Sequence, residues 1–96
     1  MTPSFAIRTT PRFERLARAL LKRHHEFRPL LDRARDILMA DPYDHAHTRN
    51  IRKLEDVRLG DGQYRLRLGR FRFRYDITDN EVEPISCGLR REDTYD

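Results

Sequence analysis

The clearest hydrophobic pattern in the chain is a strict alternation over residues 64–77. On both sides of Gly69 and Arg70, apolar and arginine positions exchange at every residue, which is the period of a β-strand. A two-residue loop with glycine first is typical of a type II′ hairpin turn. The pattern therefore predicts a β-hairpin with one apolar face.

The other face of this hairpin is predicted to carry four arginines. The register that the turn imposes sets Arg67 opposite Arg72, and Arg65 opposite Arg74. Like charges directly across a ladder cost about 0.2–1 kcal/mol per pair, and a face that needs only solubility would mix cations with glutamate. A solvated basic face is the alternative interpretation. Because guanidinium groups match phosphate oxygens in geometry, the concentration of arginine favours a phosphate-bearing ligand.

Two amphipathic helices are predicted ahead of the hairpin. Apolar residues three and four apart indicate the first, which begins at Pro11 after the cap Thr10 and ends near His25. Pro29 starts the second, which ends near Ala40. Each helix has one apolar stripe, and the apolar face of the hairpin is the surface that would cover both. The solvated side of the first helix carries four cations, Arg12, Arg15, Arg18 and Lys22.

The segments around these elements are less regular. Residues 5–8 predict a short first strand, whereas residues 41–63 contain turn signals and no clear period. Within that segment, Ile51 and Leu54 are expected to anchor the chain on the core. Further cations beside the arginine face are expected from Arg49, Arg52, Lys53 and Arg58.

A third strand is predicted over residues 82–89, after a turn. A three-residue loop, 79–81, is the preferred connection because it directs Ile85 and Cys87 into the core. A two-residue loop would expose Ile85, unless Pro84 forces a bulge. The preferred register also adds Arg90 to the arginine face, beside Arg72.

Composition sets the outer limits. The length of 96 residues predicts one domain, 1–96, and a charged share as large as the hydrophobic share, 38% each, requires an economical core. The formal net charge of +4 and a pI near 9.7 favour anionic partners. The single Cys87 excludes an intrachain disulfide and fits a reducing compartment. Neither a membrane-spanning run nor a secretory signal is recognisable, so a cytoplasmic protein with no membrane partner is expected.

The two histidines of the loop are weak evidence for a metal site. His45 and His47 lie near Asp41 and Asp44, but two histidines two residues apart, with no cysteine nearby, are poor evidence for a ligand set. Phosphate-loop and nucleophile-elbow glycine patterns are not present. No metal and no cofactor is expected.

Taken in order, these features resemble the RelE/ParE superfamily of toxins from bacterial toxin–antitoxin operons. The motifs that carry the resemblance are YRLRLGRFRFRYDI and CGLRREDTY, which are similar to the family's RLRVG–YR–Y hairpin and its carboxyl-terminal G-x-R…Y signature. The resemblance covers nearly the whole chain. It implies a small α+β domain in which an N-terminal helical hairpin packs on a mainly antiparallel, twisted sheet, in the order β-α-α-β-β-β.

The two main branches of the family imply different functions. RelE-like members are ribosome-dependent endoribonucleases (mRNA interferases) that cleave messenger RNA and inhibit translation. ParE-like members poison DNA gyrase and have lost the nuclease residues. The arginines and the tyrosine retained here favour the RelE-like branch, with the gyrase poison as the alternative and a plain RNA-binding module as a third, weaker reading.

The resemblance also implies roles for individual residues. Arg65 and Arg67 match the two basic residues before the turn, and Arg72 matches the arginine that contacts the scissile phosphate. Arg90 matches the arginine taken as leaving-group acid or transition-state stabiliser, and Tyr95 the tyrosine that stacks on the base. Further RNA contacts are expected from Arg52, Lys53, Arg74 and Arg91.

One departure from the family concerns proton transfer. The best-known nucleases of the family have lysines where Arg65 and Arg67 stand, and arginine is a poor proton acceptor. The general base is therefore unassigned. The resemblance finally implies a small antitoxin as partner, docked on the exposed side of the helices and on the sheet edge.

Overall fold

The computed structural model describes residues 5–90, which form one α+β unit of two helices and a five-stranded sheet. The elements are β1 (Ala6–Ile7), α1 (Pro11–Arg23), α2 (Phe27–Ala40), β2 (Ile51–Lys53), β3 (Tyr64–Leu68), β4 (Phe71–Thr78) and β5 (Glu81–Leu89). The sheet order is β1-β5-β4-β3-β2, with β1 parallel to β5 and all other pairs antiparallel. The predicted fold class is confirmed.

Helix α1 begins where its capping signals predict. The Thr10 hydroxyl accepts a hydrogen bond from the Phe13 amide at 3.2 Å, and Pro11 occupies the first turn, where no amide donor is needed. The same hydroxyl donates to the Pro84 carbonyl at 3.0 Å, which ties the start of α1 to β5. The helix ends at Arg23, two residues before the predicted end, where the His24 amide donates to the Leu20 carbonyl.

Helix α2 begins at Phe27, two residues earlier than predicted. Pro29 lies in its first turn rather than at its start. The first four amides of a helix have no intrahelical acceptor, so a proline at any of these positions loses no hydrogen bond. Proline therefore marks the first turn and not its first residue.

The core lies between the two helices and one face of the sheet, with Phe13 and Ala17 of α1 buried in it. The Phe27 ring is centred 4.9 Å from the Phe71 ring and 5.8 Å from the Phe73 ring. The Tyr75 hydroxyl donates to the Pro42 carbonyl at 2.8 Å, so this buried phenol has a partner. The predicted apolar face of the hairpin is thus the floor of the core.

The β3–β4 hairpin has the predicted register. Arg67 lies opposite Arg72, and Arg65 lies opposite Arg74. Gly69 has a φ of 57° in the connecting turn, a conformation that glycine adopts without steric cost. The alternation therefore separates the arginines from the core as expected.

The predicted loop between β4 and β5 is wrong. The loop has two residues, because Thr78 pairs directly with Glu81, and Asp79 adopts the positive φ of 55° that the tight turn needs. The strand then has a register shift, so that Tyr75 faces Pro84 while Arg74 faces Ser86.

The extra residue in this β-bulge is Ile85, which consequently does not lie opposite Tyr75. Beyond the bulge, Cys87 faces Phe73 and Gly88 faces Arg72. The predicted three-residue loop would have given the same two pairs. A short loop and a bulge together restore the predicted parity.

The segment 41–63, predicted as irregular, contains the edge strand β2. Ile51 pairs with Leu66, Arg52 with Arg65, and Lys53 with Tyr64. Three residues are too few to show a strand period, so this strand depends on pairing with β3. Within residues 5–90, no helix combines the length and apolar character needed to cross a membrane.

Candidate functional site

Six arginines on the side of the sheet away from the helices form a surface that we name the arginine face. It is made by Arg52 on β2, Arg65 and Arg67 on β3, Arg72 and Arg74 on β4, and Arg90 directly after β5. Strand pairing forms two rows of arginines across the sheet. One row is Arg67 and Arg72, and the other is Arg52, Arg65 and Arg74. The face is therefore built from three strands and from the residue that directly follows a fourth.

Arg65 is the most deeply placed member, with 3% of its surface exposed. Burial lowers its pKa from the ordinary value, and the charges of Arg67 and Arg52 lower it further. Smaller contributions of the same sign come from Arg72 and Arg90. Arg65 thus experiences the positive charge of both neighbouring strands and of the residue that follows β5.

Arg72 experiences the same field from the next strand. Burial is again the largest cause that lowers its pKa, followed by the charges of Arg67, Arg74 and Arg90. A guanidinium group remains protonated in proteins at neutral pH, so every member keeps its charge. The structure therefore brings together the four predicted catalytic arginines, Arg65, Arg67, Arg72 and Arg90.

Arg90 is held at this site by its backbone. Its amide donates to the Arg70 carbonyl at 2.6 Å, which fixes the chain beside the β3–β4 turn as it leaves β5. The side chain is exposed. Because of this hydrogen bond, the alternation of side chains along β5 continues to Arg90, one residue beyond the end of the strand.

Arg74 has a structural role that its sequence position does not reveal. Its Nε donates to the Gly62 carbonyl at 3.0 Å, and its Nη2 donates to the Asp61 carbonyl at 2.9 Å. A Cβ on Gly62 would lie 2.8 Å from the Arg74 Cβ, so the loop can approach this closely only with glycine. Arg74, which was predicted to contact RNA, therefore also holds the loop before β3 in place.

Asp76 holds the same loop from the next outward position of β4. Its carboxylate is 1% exposed and accepts hydrogen bonds from the amides of Gly60 at 2.8 Å, Gln63 at 2.8 Å and Gly62 at 3.4 Å. Sequence reasoning missed this residue. Asp76 follows Arg72 and Arg74 on the same side of the strand, where a third cation would continue the pattern. This change of charge, together with the glycine-rich turn at residues 60–62, could have indicated a carboxylate that binds backbone amides.

Lys53 does not join the arginine face. It pairs with Tyr64, whose side chain lies on the helix side of the sheet, and its Nζ lies 5.8 Å from the centre of the Tyr64 ring. Neighbouring residues of a strand point to opposite faces. Of these two residues, Arg52 lies with the other arginines and Lys53 lies on the other side of β2, and an RNA contact by either stays a prediction.

Two predicted site residues, Arg91 and Tyr95, lie outside the described residues 5–90.

A groove continues from the arginine face around the β5 side of the sheet. Its lining residues are Arg12, Leu16, Arg72, Arg74, Ser86 and Gly88, with Cys87 and Leu89 below. Gly88 lies opposite Arg72, and no atom of residues 5–90 lies within 4 Å of a Cβ added there. Arg12 comes from α1, which sequence reasoning assigned only to the solvated side of that helix.

Other reactive groups lie away from this face. Burial raises the pKa of the Cys87 thiol to about 12, so little thiolate forms at neutral pH. The rings of His24 and His45 contact Phe71 and Tyr43.

The loop with the two histidines uses its carboxylates internally. Asp41 accepts the amides of His45 at 3.0 Å and Ala46 at 3.2 Å, and Asp44 accepts those of Thr48 and Arg49. In the described part of the chain, no three histidine, cysteine or carboxylate side chains gather as a metal site.

Comparisons with protein-family models, with curated proteins and with solved structures find no match to this chain. The chemistry of the site therefore has to be read from its own residues. Clustered, preorganised guanidinium groups bind phosphate oxygens and stabilise negative charge that develops on them. They do not accept protons.

Proposed function

We propose that the protein is a RelE-like toxin of the RelE/ParE superfamily, a ribosome-dependent endoribonuclease that cleaves messenger RNA and inhibits translation. The observation that carries the proposal is the meeting of Arg65, Arg67, Arg72 and Arg90, from three strands, within one electrostatic field. The sequence motifs support the same family. The cellular compartment that fits this function is the cytoplasm.

The proposed reaction is cleavage by the RNA itself, with the arginines as stabilisers. The 2′-hydroxyl oxygen loses its proton and attacks the adjacent phosphorus, the bond to the 5′-oxygen breaks, and a 2′,3′-cyclic phosphate forms. The departing 5′-oxygen takes up a proton from water and leaves as a hydroxyl. Arg72 contacts the non-bridging oxygens, and Arg90 donates a hydrogen bond to the departing 5′-oxygen. Arg67 holds the phosphate in line, and the buried charge of Arg65 helps to stabilise the extra charge of the transition state.

The proton acceptor in this proposal comes from outside the arginine face. Arginines at 65 and 67 cannot take the proton of the 2′-hydroxyl, and the rings of His24 and His45 are packed against Phe71 and Tyr43. A group of the RNA or of the ribosome would then receive the proton. This requirement is the physical reason for proposing dependence on the ribosome.

The remaining RNA contacts are proposed around this centre. Arg52 is exposed at the edge strand and would bind the backbone of the RNA. Tyr95 would stack on the base beside the cleaved bond, and Arg91 would contact a neighbouring phosphate.

The proposed regulator is an antitoxin encoded with the toxin. The outer edge of β2 carries no further strand among the described residues, so an extended antitoxin segment would add there by main-chain pairing. The exposed side of α2, where Met39 is exposed, is the second proposed docking surface.

Substitution of Arg72 and of Arg90 by alanine tests the catalytic assignment. Each variant should lose growth arrest on induction, because removing one preorganised donor from a transition state commonly costs 10²–10³-fold in rate. The measurements are growth after induction and mapping of messenger-RNA cut positions. Arg33→Ala, which removes one exposed charge from α2, is the matched control and should remain toxic.

Two results would contradict the proposal. Full toxicity of both variants would remove the arginine face from the mechanism. Inhibition of supercoiling by purified protein, with no messenger-RNA cuts in cells, would instead establish the gyrase-poisoning branch.

A further inference from the structure

Helix α1 carries a basic stripe that the proposed reaction does not use. The helix has five basic residues and one acidic residue, a net charge of +4 that equals the net charge of the entire chain. The other 83 residues have fifteen basic and fifteen acidic side chains. All five cations are exposed: Arg12, Arg15, Arg18, Lys22 and Arg23. The excess positive charge of the protein is therefore concentrated on one helix.

The single acidic residue of α1 lies in the first turn of the helix and offsets one of its five positive charges. Glu14 accepts a hydrogen bond from the Thr9 hydroxyl at the start of the helix. Arg12, Arg15, Arg18 and Lys22 follow one another at spacings of three, three and four, which sets them along one side of a helix. A linear array of cations of this kind suits a linear polyanion.

The groove joins this stripe to the arginine face. Arg12 and Leu16 of α1 line the same depression as Arg72 and Arg74 of β4. Ser86 and Gly88 of β5 also line this groove, and Gly88 presents no side chain there. Along the described residues of this groove, a nucleic acid strand that crosses Arg72 therefore has a path to Arg12.

The stripe lacks the apolar side chains that a membrane or a protein partner would need. The large apolar residues that are exposed in the described part of the chain are Met39, Tyr43 and Leu59, and none of them lies on α1. Membrane-surface helices insert apolar side chains, and protein interfaces depend on buried aromatic or aliphatic anchors. Charge without such anchors favours a phosphate backbone.

We propose that the basic stripe of α1 binds the backbone of the nucleotides that flank the reacting phosphodiester in the same RNA strand. The strand passes from the arginine face through the groove and along α1. This inference rests on the proposed function, because it takes RNA as the ligand of the arginine face. It adds an extended binding track, which helps to position the strand and has no part in the chemistry.

The test is the salt dependence of binding to 2′-O-methyl RNA, which lacks the attacking hydroxyl and stays intact. A short oligonucleotide of about four nucleotides covers the arginine face, and one of about sixteen also reaches α1. The variant Arg12→Ala/Arg15→Ala/Lys22→Ala removes three charges from the stripe. Its control, Arg28→Ala/Arg33→Ala/Arg35→Ala, removes three exposed charges from α2. Thermal unfolding verifies that both variants are folded.

The expected result is specific to the long RNA. The slope of log K against log salt should fall by about two in the α1 variant, since each phosphate contact on a single strand contributes roughly 0.7. Binding of the short RNA should change less than about twofold, and the α2 control should keep the slope of the unmodified protein. The single variant Arg15→Gln should show about one third of the α1 effect.

The outcomes separate this inference from the function on which it rests. Equal slopes for the α1 and α2 variants with the long RNA, or equal slopes for the short and long RNA in the unmodified protein, overturn the track alone. If the unmodified protein binds neither RNA, the arginine face fails as an RNA site and the proposed function is overturned with it.

Discussion

The two faces of the β3–β4 hairpin are made by alternate residues of the same two strands, yet they have opposite energetic roles. On the helix side, Leu66 and Phe71 are fully buried and Phe73 is 1% exposed. Burial of one such side chain contributes about 1.5–3 kcal/mol. On the other side, arginines face arginines, which costs about 0.2–1 kcal/mol per pair. The apolar face raises the free energy of unfolding, and the arginine face lowers it by a smaller amount because like charges lie close together.

The arginine face is itself divided by what its side chains contact. At the Arg74 end, backbone carbonyls of the 61–62 segment accept the guanidinium donors, and the Asp76 carboxylate holds the amides of the same loop. At the Arg72 end, the charges of Arg67, Arg74 and Arg90 lower the pKa of Arg72. The Arg74 end is therefore a fixed support of the loop, and the Arg72 end is a concentration of positive charge.

The largest effect on stability is expected from the helix side. Phe73→Ala should lower the free energy of unfolding by about 3–5 kcal/mol, because it leaves a cavity beneath the Phe27 ring. Urea unfolding measures the change. Leu59→Ala, at a position that is 61% exposed, is the control and should change stability by less than about 0.5 kcal/mol. Equal losses in the two variants would contradict the assignment of the core.

A smaller effect is expected from the support at the Arg74 end. Asp76→Ala removes the acceptor of three backbone amides and should cost about 1–3 kcal/mol, since at least one of them is buried. Hydrogen exchange should become faster at the amides of Gly62 and Gln63. Asp61→Ala, in the same loop but exposed, leaves these hydrogen bonds intact and should exchange like the unmodified protein. Unchanged exchange in the Asp76 variant would exclude this role.

The smallest change in stability is expected from β2, where Arg52 and Lys53 lie on opposite sides of the sheet. A lowered arginine pKa means that the fold disfavours the charge at every pH below that pKa, so removing a neighbouring cation should stabilise the protein at neutral pH. Arg52→Gln, opposite Arg65, should raise the free energy of unfolding by about 0.2–1 kcal/mol. Added salt should reduce this gain.

The adjacent substitution Lys53→Gln provides the comparison. This residue contacts the Tyr64 ring on the helix side, so its replacement should give no gain and a loss of up to about 1 kcal/mol. A gain of equal size at both positions would show that only net charge matters. Thermal and urea unfolding at two salt concentrations distinguish the cases.

The sequence predicted those parts of the fold that depend on local repetition. The hairpin register followed from strict alternation around Gly69, and the start of α1 followed from Thr10 and Pro11. The arginine face followed from the same alternation, because parity alone separates Arg67 and Arg72 from the core.

What the sequence did not predict depends on contacts between distant segments. β2 has only three residues and exists through its pairing with β3, so the side on which Lys53 lies could not be read from its neighbours. The place of Arg12 depends on the packing of α1 beside β5. The short turn before β5 required a positive φ at an aspartate, which no periodicity reveals.

The bulge at Ile85 divides β5 into two stretches that are aligned by different neighbours. Before it, Glu81 and Val82 are aligned by β1 and by the Asp79 turn; after it, Ser86 and Gly88 are aligned by Arg74 and Arg72. A change of one residue in the turn can therefore be taken up at the bulge and need not rotate the end of the strand. The orientation of Arg90 would therefore be kept if the turn gained or lost one residue.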